Sequence, residues 1–207
     1  MPRTLGDLDW PVLTARLAIR PATEADAEAT WRYRRLEAVG RWLTSAPADQ
    51  QEYQRSFRDP ARLAKTLLIQ LRDAGTAGAA GLVIGDAMVA VEDGWAQSEV
   101  ADRARGVQAE IGWALDPAHQ GVGYATEAVG ELLRICFDGL GLRRVTAGCF
   151  ADNEPSWRLM ERVGMRREEY SVADSLHRSG AWLDGMAYAL LAEEWRARPG
   201  TSPAAEG

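Results

Sequence analysis

The chain has 207 residues, 46% of them apolar, and a formal net charge of −6. That supplies one good hydrophobic core and argues for a single domain, while the acidic balance argues against a nucleic-acid surface, since phosphate backbones need a basic face. No apolar run reaches the length of a membrane span and the first residues lack a charged-then-apolar leader, so a cytoplasmic protein without a membrane partner is expected.

Residues 1–13 read as an N-terminal extension, 14–197 as the domain and 198–207, rich in Pro, Gly, Ser and Ala, as a disordered tail. Residues 16–22 alternate like a strand. Thr23 with Asp26 three residues on reads as a helix start, and that helix is predicted to run to about Val39. A second helix is predicted over 49–57, and paired strands over 67–72 and 81–91 across a small-residue turn at 74–80. Residues 92–105, acidic and polar with a lone Trp95, read as a loop with a short helix. An apolar strand then stops at Asp116-Pro117, and a loop with Gly121 and Gly123 leads into a helix over 126–137. That helix carries apolar residues at Ala125, Val129, Leu132, Leu133, Cys136 and Phe137, and Gly139 and Gly141 end it. A strand over 143–149, a helix over 154–163 and strands over 165–172 and 181–191 complete a mixed sheet.

Two features of composition bear on chemistry. Cys136 and Cys149 lack metal-ligand spacing, so two buried reduced thiols and no metal are expected. Lys65 is the only lysine, and the arginine bias reads as genome composition.

The strand–loop–helix at Glu110-Ile-Gly-Trp-Ala-Leu-Asp-Pro-Ala-His-Gln-Gly-Val-Gly-Tyr-Ala125 aims several unpaired backbone N–H groups at one point, at the positive end of a helix. Such a point binds an anion, usually a phosphate. Neither the Gly-Lys-Ser/Thr phosphate loop nor the three-glycine dinucleotide fingerprint is present, and a Gly-x-Gly alone is usually an ordinary turn.

Gln120-Gly121-Val122-Gly123-Tyr124-Ala125 resembles the Gln/Arg-x-x-Gly-x-Gly/Ala signature of the GCN5-related N-acetyltransferases (GNATs), which hold the pyrophosphate of acetyl-coenzyme A. Asn153, Ser156 and the Val163-Gly164-Met165 corner fall where the branch acetylating ribosomal-protein N-termini has its Asn-x-x-Ser and Leu-Gly-Phe. Thr14-Ala-Arg-Leu-Ala-Ile-Arg-Pro-Ala and Glu194-Trp195 also look like that branch, so the resemblance covers 14–195 in outline and 110–168 in detail. It implies an α/β GNAT fold: one domain, a mixed, largely antiparallel sheet of about seven strands with a splayed pair, and about four flanking helices.

The same resemblance implies acetyl-CoA as cosubstrate and transfer to a primary amine, with a protein N-terminal α-amine favoured and a homodimer common among relatives. An aminoglycoside- or polyamine-like small-molecule acceptor, or a non-catalytic acyl-CoA-binding module, stays open. The net charge leans toward a cationic acceptor, and an acidic cleft lined by Glu92, Asp93 and Glu99 would favour the small molecule.

Cofactor-binding candidates are Gln120, Gly121, Val122, Gly123, Tyr124 and Ala125 in the loop, with Trp113, Ala114 and Leu115 on the strand over 111–115, where a backbone N–H polarises the thioester carbonyl. In the resemblance this strand splays from 143–149 to admit the pantetheine arm. Asn153 is a candidate for the pantetheine amide or a helix-capping Asn. Arg158 suits the phosphates, or is a solvated helix arginine. Glu110, at the head of the splayed strand, is the candidate base, set against a solvated strand-end glutamate; Asp184 and Glu92 are poorer candidates. Many members carry a tyrosine acid where this chain has Met160, and a thioether cannot donate a proton. Ser156 takes that role at the thiolate, beside a first-turn helix role. His119 reads as incidental. The tryptophans 31, 42, 95, 113, 157 and 182 are core or rim, with Trp31, Trp42 and Trp95 candidates for lining an acceptor cleft.

Overall fold

A computed structural model of the chain describes residues 3–72 and 81–198; the predicted turn at 74–80 and the tail from 199 onward lie outside the described residues. Eight strands form one sheet in the order β1-β2-β3-β4-β5-β6-β8-β7. They are β1 (Val12–Leu13), β2 (Leu17–Pro21), β3 (Thr66–Leu71), β4 (Val83–Glu92), β5 (Gln108–Leu115), β6 (Arg144–Phe150), β7 (Arg166–Leu176) and β8 (Trp182–Leu191). Every neighbouring pair is antiparallel except β5 and β6.

The sheet expected to hold about seven strands has eight. The extra strand lies in the segment expected to precede the domain. Val12 pairs with Ile19, and Leu5, Leu8, Trp10 and Val12 pack on the main core. A two-residue strand is too short to leave an alternation signal.

Helices α1 (Ala27–Arg34), α2 (Glu37–Gly40), α3 (Gln50–Phe57), α4 (Pro60–Leu63), α5 (Tyr124–Arg134), α6 (Glu154–Arg162) and α7 (Ala192–Arg196) flank the sheet. Among the described residues, α1, α3, α5 and α6 are the ones of eight residues or more, in line with the expected four. The predicted start at Thr23 stands: the Asp26 carboxylate accepts from the Thr23 N–H and hydroxyl, both at 2.8 Å. The predicted run to Val39 does not. Leu36 is extended, with ψ 134°, although no Pro or Gly stands there. The break sits beside Arg34, whose guanidinium is drawn onto the sheet at Asp86. Tertiary contact overrides local propensity here.

Strand alternation gives the sheet two apolar faces. One packs Ile19, Leu67, Ile69, Val89 and Ile111 against Val129, Leu132 and Leu133 of α5. The other packs Leu68, Val83 and Ala114 against Tyr33 of α1 and Tyr53 and Phe57 of α3. Beyond α5 the chain widens into a π turn over Ile135–Gly139, so Cys136 and Phe137 stay buried. Gly141, at φ +70°, releases the chain toward β6.

Candidate active site

The pairing of β5 with β6 runs Gln108↔Arg144, Ala109↔Val145, Glu110↔Thr146 and then stops. Yet β5 stays paired with β4 to Leu115, and β6 with β8 to Phe150. The two parallel strands therefore part beyond Glu110 and open a wedge in the middle of the sheet. The Asp116 N–H donates to Ile84 O at 2.8 Å, toward β4. Alternation along the strand then turns the N–H groups of Trp113 and Leu115 to the opposite side, into the wedge. The Leu115 carbonyl faces the same way and accepts from Gln120 Nε2 at 3.1 Å.

The loop after β5 closes the outer end of this wedge. A 3-10 turn over Pro117–His119 is capped by Asp116, which accepts from the Ala118 N–H. Gly121 and Gly123 follow at φ +79° and +89°, a conformation that costs other residues about 1–2 kcal/mol. The Gln120 N–H donates to Pro117 and the Glu127 N–H to Gly123. Between them, the N–H groups of Gly121, Val122, Gly123, Tyr124, Ala125 and Thr126 have no acceptor among the described residues. They lie at the positive end of α5, an arrangement suited to receiving an anion such as a phosphate.

Arg16, at the foot of β2, holds this loop from below, and its role has no local signal in the sequence. Its Nη1 donates to Val122 O at 2.9 Å, its Nε to Glu127 at 2.7 Å, and its guanidinium lies 4.6 Å from the Tyr124 ring centroid. Burial alone would raise the Glu127 carboxyl. The Thr14 hydroxyl, the Arg16 N–H and the Arg16 guanidinium together hold it below the usual range.

A cleft of about 1430 Å³ runs over the loop and through the wedge. Its walls include Glu110, Trp113, Ala114, Leu115, Gln120, Gly121, Gly123, Ala125, Asn153, Ser156 and Arg158. Val122 and Tyr124 do not line it: Val122 points outward at 56% exposure and its carbonyl serves Arg16, while Tyr124 packs under Arg16 and against the core. Only their backbone N–H groups remain available to a ligand. His119 also stays outside, with Nδ1 3.8 Å from Asp116.

The β6 side of the wedge carries Gly148 and Cys149. Burial pushes the Cys149 thiol up to about 11, against the opposing pull of a hydrogen bond from Ser156. Ser156 stands in the first turn of α6 and lines the same cleft. Asn153 makes no side-chain cap to α6, so its amide has no partner among the described residues. Met160 is fully buried in the core. Arg158 is paired with Glu154 on the exposed side of α6, and Arg162, absent from the sequence-based candidates, reaches the same mouth through Thr126 Oγ1.

Past Glu110 the cleft continues over β4 toward α1 and α4. Trp42 lines it, whereas Trp31 packs at a tilt on Tyr53 in the second core and Trp95 is 92% exposed away from it. Glu92, Asp93 and Glu99 are not in its walls, and Asp93 instead caps the Gly106 N–H. Asp86 is in the wall but fully engaged: Oδ1 accepts from Tyr33 at 2.6 Å and from Arg34 Nε at 2.9 Å, and Oδ2 from Arg34 Nη2.

A family model described as an acetyltransferase (GNAT) domain matches residues 16–166. The uncharacterized N-acetyltransferase YnaD of Bacillus subtilis (strain 168) is 41% identical over 86 residues, which are 42% of this chain and 50% of that protein. The chain spans about half the length of the curated relatives it matches. A solved GNAT-family acetyltransferase from Bacillus anthracis superposes with a TM-score of 0.71 at 28% identity, over 88% of this chain and 99% of that one. Mycobacterium smegmatis RimJ in complex with CoA-disulfide superposes at 0.67, over 89% and 90%, at 23% identity.

Proposed function

This chain belongs to the GNAT acetyltransferase family, and we propose that it moves an acetyl group from acetyl-CoA to a primary amine by direct attack in a ternary complex. The observation that carries this is the run of free N–H groups over residues 121–126, set at the mouth of a strand wedge. The loop gathers six unpaired donors at one edge of the cleft, and Arg162, which has no carboxylate partner among the described residues, adds positive charge beside it. Guanidinium groups match phosphate geometry. RimJ, solved with CoA-disulfide, has the same fold.

Each group then has a task. The N–H of Trp113 or Leu115 polarises the thioester carbonyl; a donor aimed at a developing oxyanion is commonly worth about 2–4 kcal/mol. Glu110, exposed where the strands part, takes the ammonium proton directly or through water. An α-amine, with a reference pKa near ~8, needs only modest help, whereas a lysine side chain at ~10.4 needs more. Asn153 holds the pantetheine amide. Ser156 donates to the departing thiolate, in place of a tyrosine at Met160.

A peptide N-terminus is the favoured acceptor. The polycation reading loses its support, because the acids that would hold a polyamine lie outside the cleft. Steady-state thiol release from acetyl-CoA with a panel of amines tests the activity. Transfer should occur, and Glu110→Gln should lower kcat by about a hundredfold while leaving acetyl-CoA affinity intact. A protein that binds acetyl-CoA but releases no thiol with any amine would be a binding module instead.

A further inference from the structure

Resting on that reading, we infer that the acceptor carries a carboxylate a few bonds from its reacting amine, and that Lys65 and Arg62 receive it. The acceptor end of the cleft is cationic although the whole chain is acidic. Three carboxylates line the cleft: Asp86, Glu110 and Glu127. Asp86 is neutralised by Arg34, and Glu127 by Arg16 at the far end. Glu110 therefore stands as the free negative charge, at the point assigned to the amine.

Beyond it, Arg62 and Lys65 line the wall, and neither has a carboxylate partner among the described residues. Arg62 is held in place without one. Its Nη1 donates to Ser56 Oγ at 3.0 Å, and its guanidinium lies 5.2 and 5.1 Å from the ring centroids of Tyr53 and Phe57. A cation fixed by stacking and a hydroxyl keeps its remaining N–H donors for a ligand and gives up little entropy on binding.

The spacing follows from the sheet. The Lys65 carbonyl accepts from the Val89 N–H at 2.9 Å, and Val89 pairs with Ile111, next to Glu110. Lys65 thus stands two strand spacings from the head of β5, about 10 Å at backbone level. A molecule with an amine at Glu110 and a carboxylate at Lys65 or Arg62 spans that distance with a few bonds between the two charges. The side chain of an acidic residue at the start of a peptide and the carboxylate of a free amino acid both meet this description. A polyamine places its second charge against two cations and is rejected.

The test compares kcat/KM for acetyl transfer to amidated peptides with Glu or Gln in their first two positions, to free glutamate and glutamine, and to spermidine. Acidic members should exceed their neutral isosteres by about fivefold or more, as expected for a partly exposed charge pair. The amidated-peptide and free-amino-acid arms identify which carboxylate is read. Lys65→Met should pull the acid-to-neutral ratio toward unity, and Lys65→Glu should invert it. Both changes fall on an exposed side chain and spare the core. A wild-type ratio at or below one, or a ratio indifferent to Lys65→Glu, overturns the inference while the acetyl-transfer reading survives. Absence of thiol release with every member overturns that reading and the inference with it.

Discussion

At Gly123 the backbone stands at φ +89°, and a Cβ there would lie 3.3 Å from Arg16 Nη2. Gly121, at φ +79°, has nothing within 4 Å of the same position. The two glycines should therefore respond differently. Gly121→Ala is expected to cost only backbone strain, about 1 kcal/mol in chemical denaturation, with acetyl-CoA binding weakened modestly. Gly123→Glu adds strain, a crowded Arg16 and a negative charge in the cradle, and should abolish acetyl-CoA binding while the protein still folds. At this scale the cradle is legible in sequence because its parts are adjacent: six residues, two glycines and a following helix. Arg16, Arg62 and Lys65 are not. Arg16 acts on Glu127 from 111 positions away, and no local pattern marks such a pairing. Lys65 does leave one trace, its singularity, which composition alone does not interpret.

Among elements, the joint between β2 and α5 supports the site. Thr14 Oγ1 donates to Glu127 at 2.5 Å and the Arg16 N–H at 2.8 Å, so the start of α5 is tied to the turn that leads into β2. The Glu127 carboxyl is lowered in the folded protein from its ordinary 4.5. A depressed carboxyl binds fewer protons folded than unfolded, so its stabilisation is complete above 4.5 and is lost as pH falls through the folded value. Unfolding followed against pH should thus be insensitive to this group above 4.5 and show its loss below. Glu127→Gln should remove that acid dependence, cost about 1–2 kcal/mol and raise the acetyl-CoA KM with little change in kcat. The elements themselves are largely legible, since alternation and helical period come from burial on one face. What escapes is set by tertiary contact: the break of α1 beside Arg34, the π turn after α5, and β1 pairing from a segment that reads as an extension.

The molecule as a whole is a sheet with two cores, and the cleft exists because two parallel strands in that sheet stop pairing after Glu110. A β-strand pattern in sequence says which residues are buried, not with which neighbour they pair, so the wedge is implied by family resemblance and visible only in three dimensions. Asp86 and Arg34 fasten the second core to the cleft wall, with side chains 3% and 18% exposed. Asp86→Asn should cost about 3–5 kcal/mol in chemical denaturation, because it strands a buried guanidinium. Replacing both partners with apolar residues of similar volume should cost much less, and a double-mutant cycle measures the difference. The central claim is that the N–H run over 121–126 holds acetyl-CoA at the mouth of the wedge, and calorimetric titration of acetyl-CoA into the wild type and the folded Gly123→Glu variant tests it most directly. Saturable binding by the wild type and no binding heat in the variant is the predicted result; no binding by the wild type, or equal affinity in both, would contradict it.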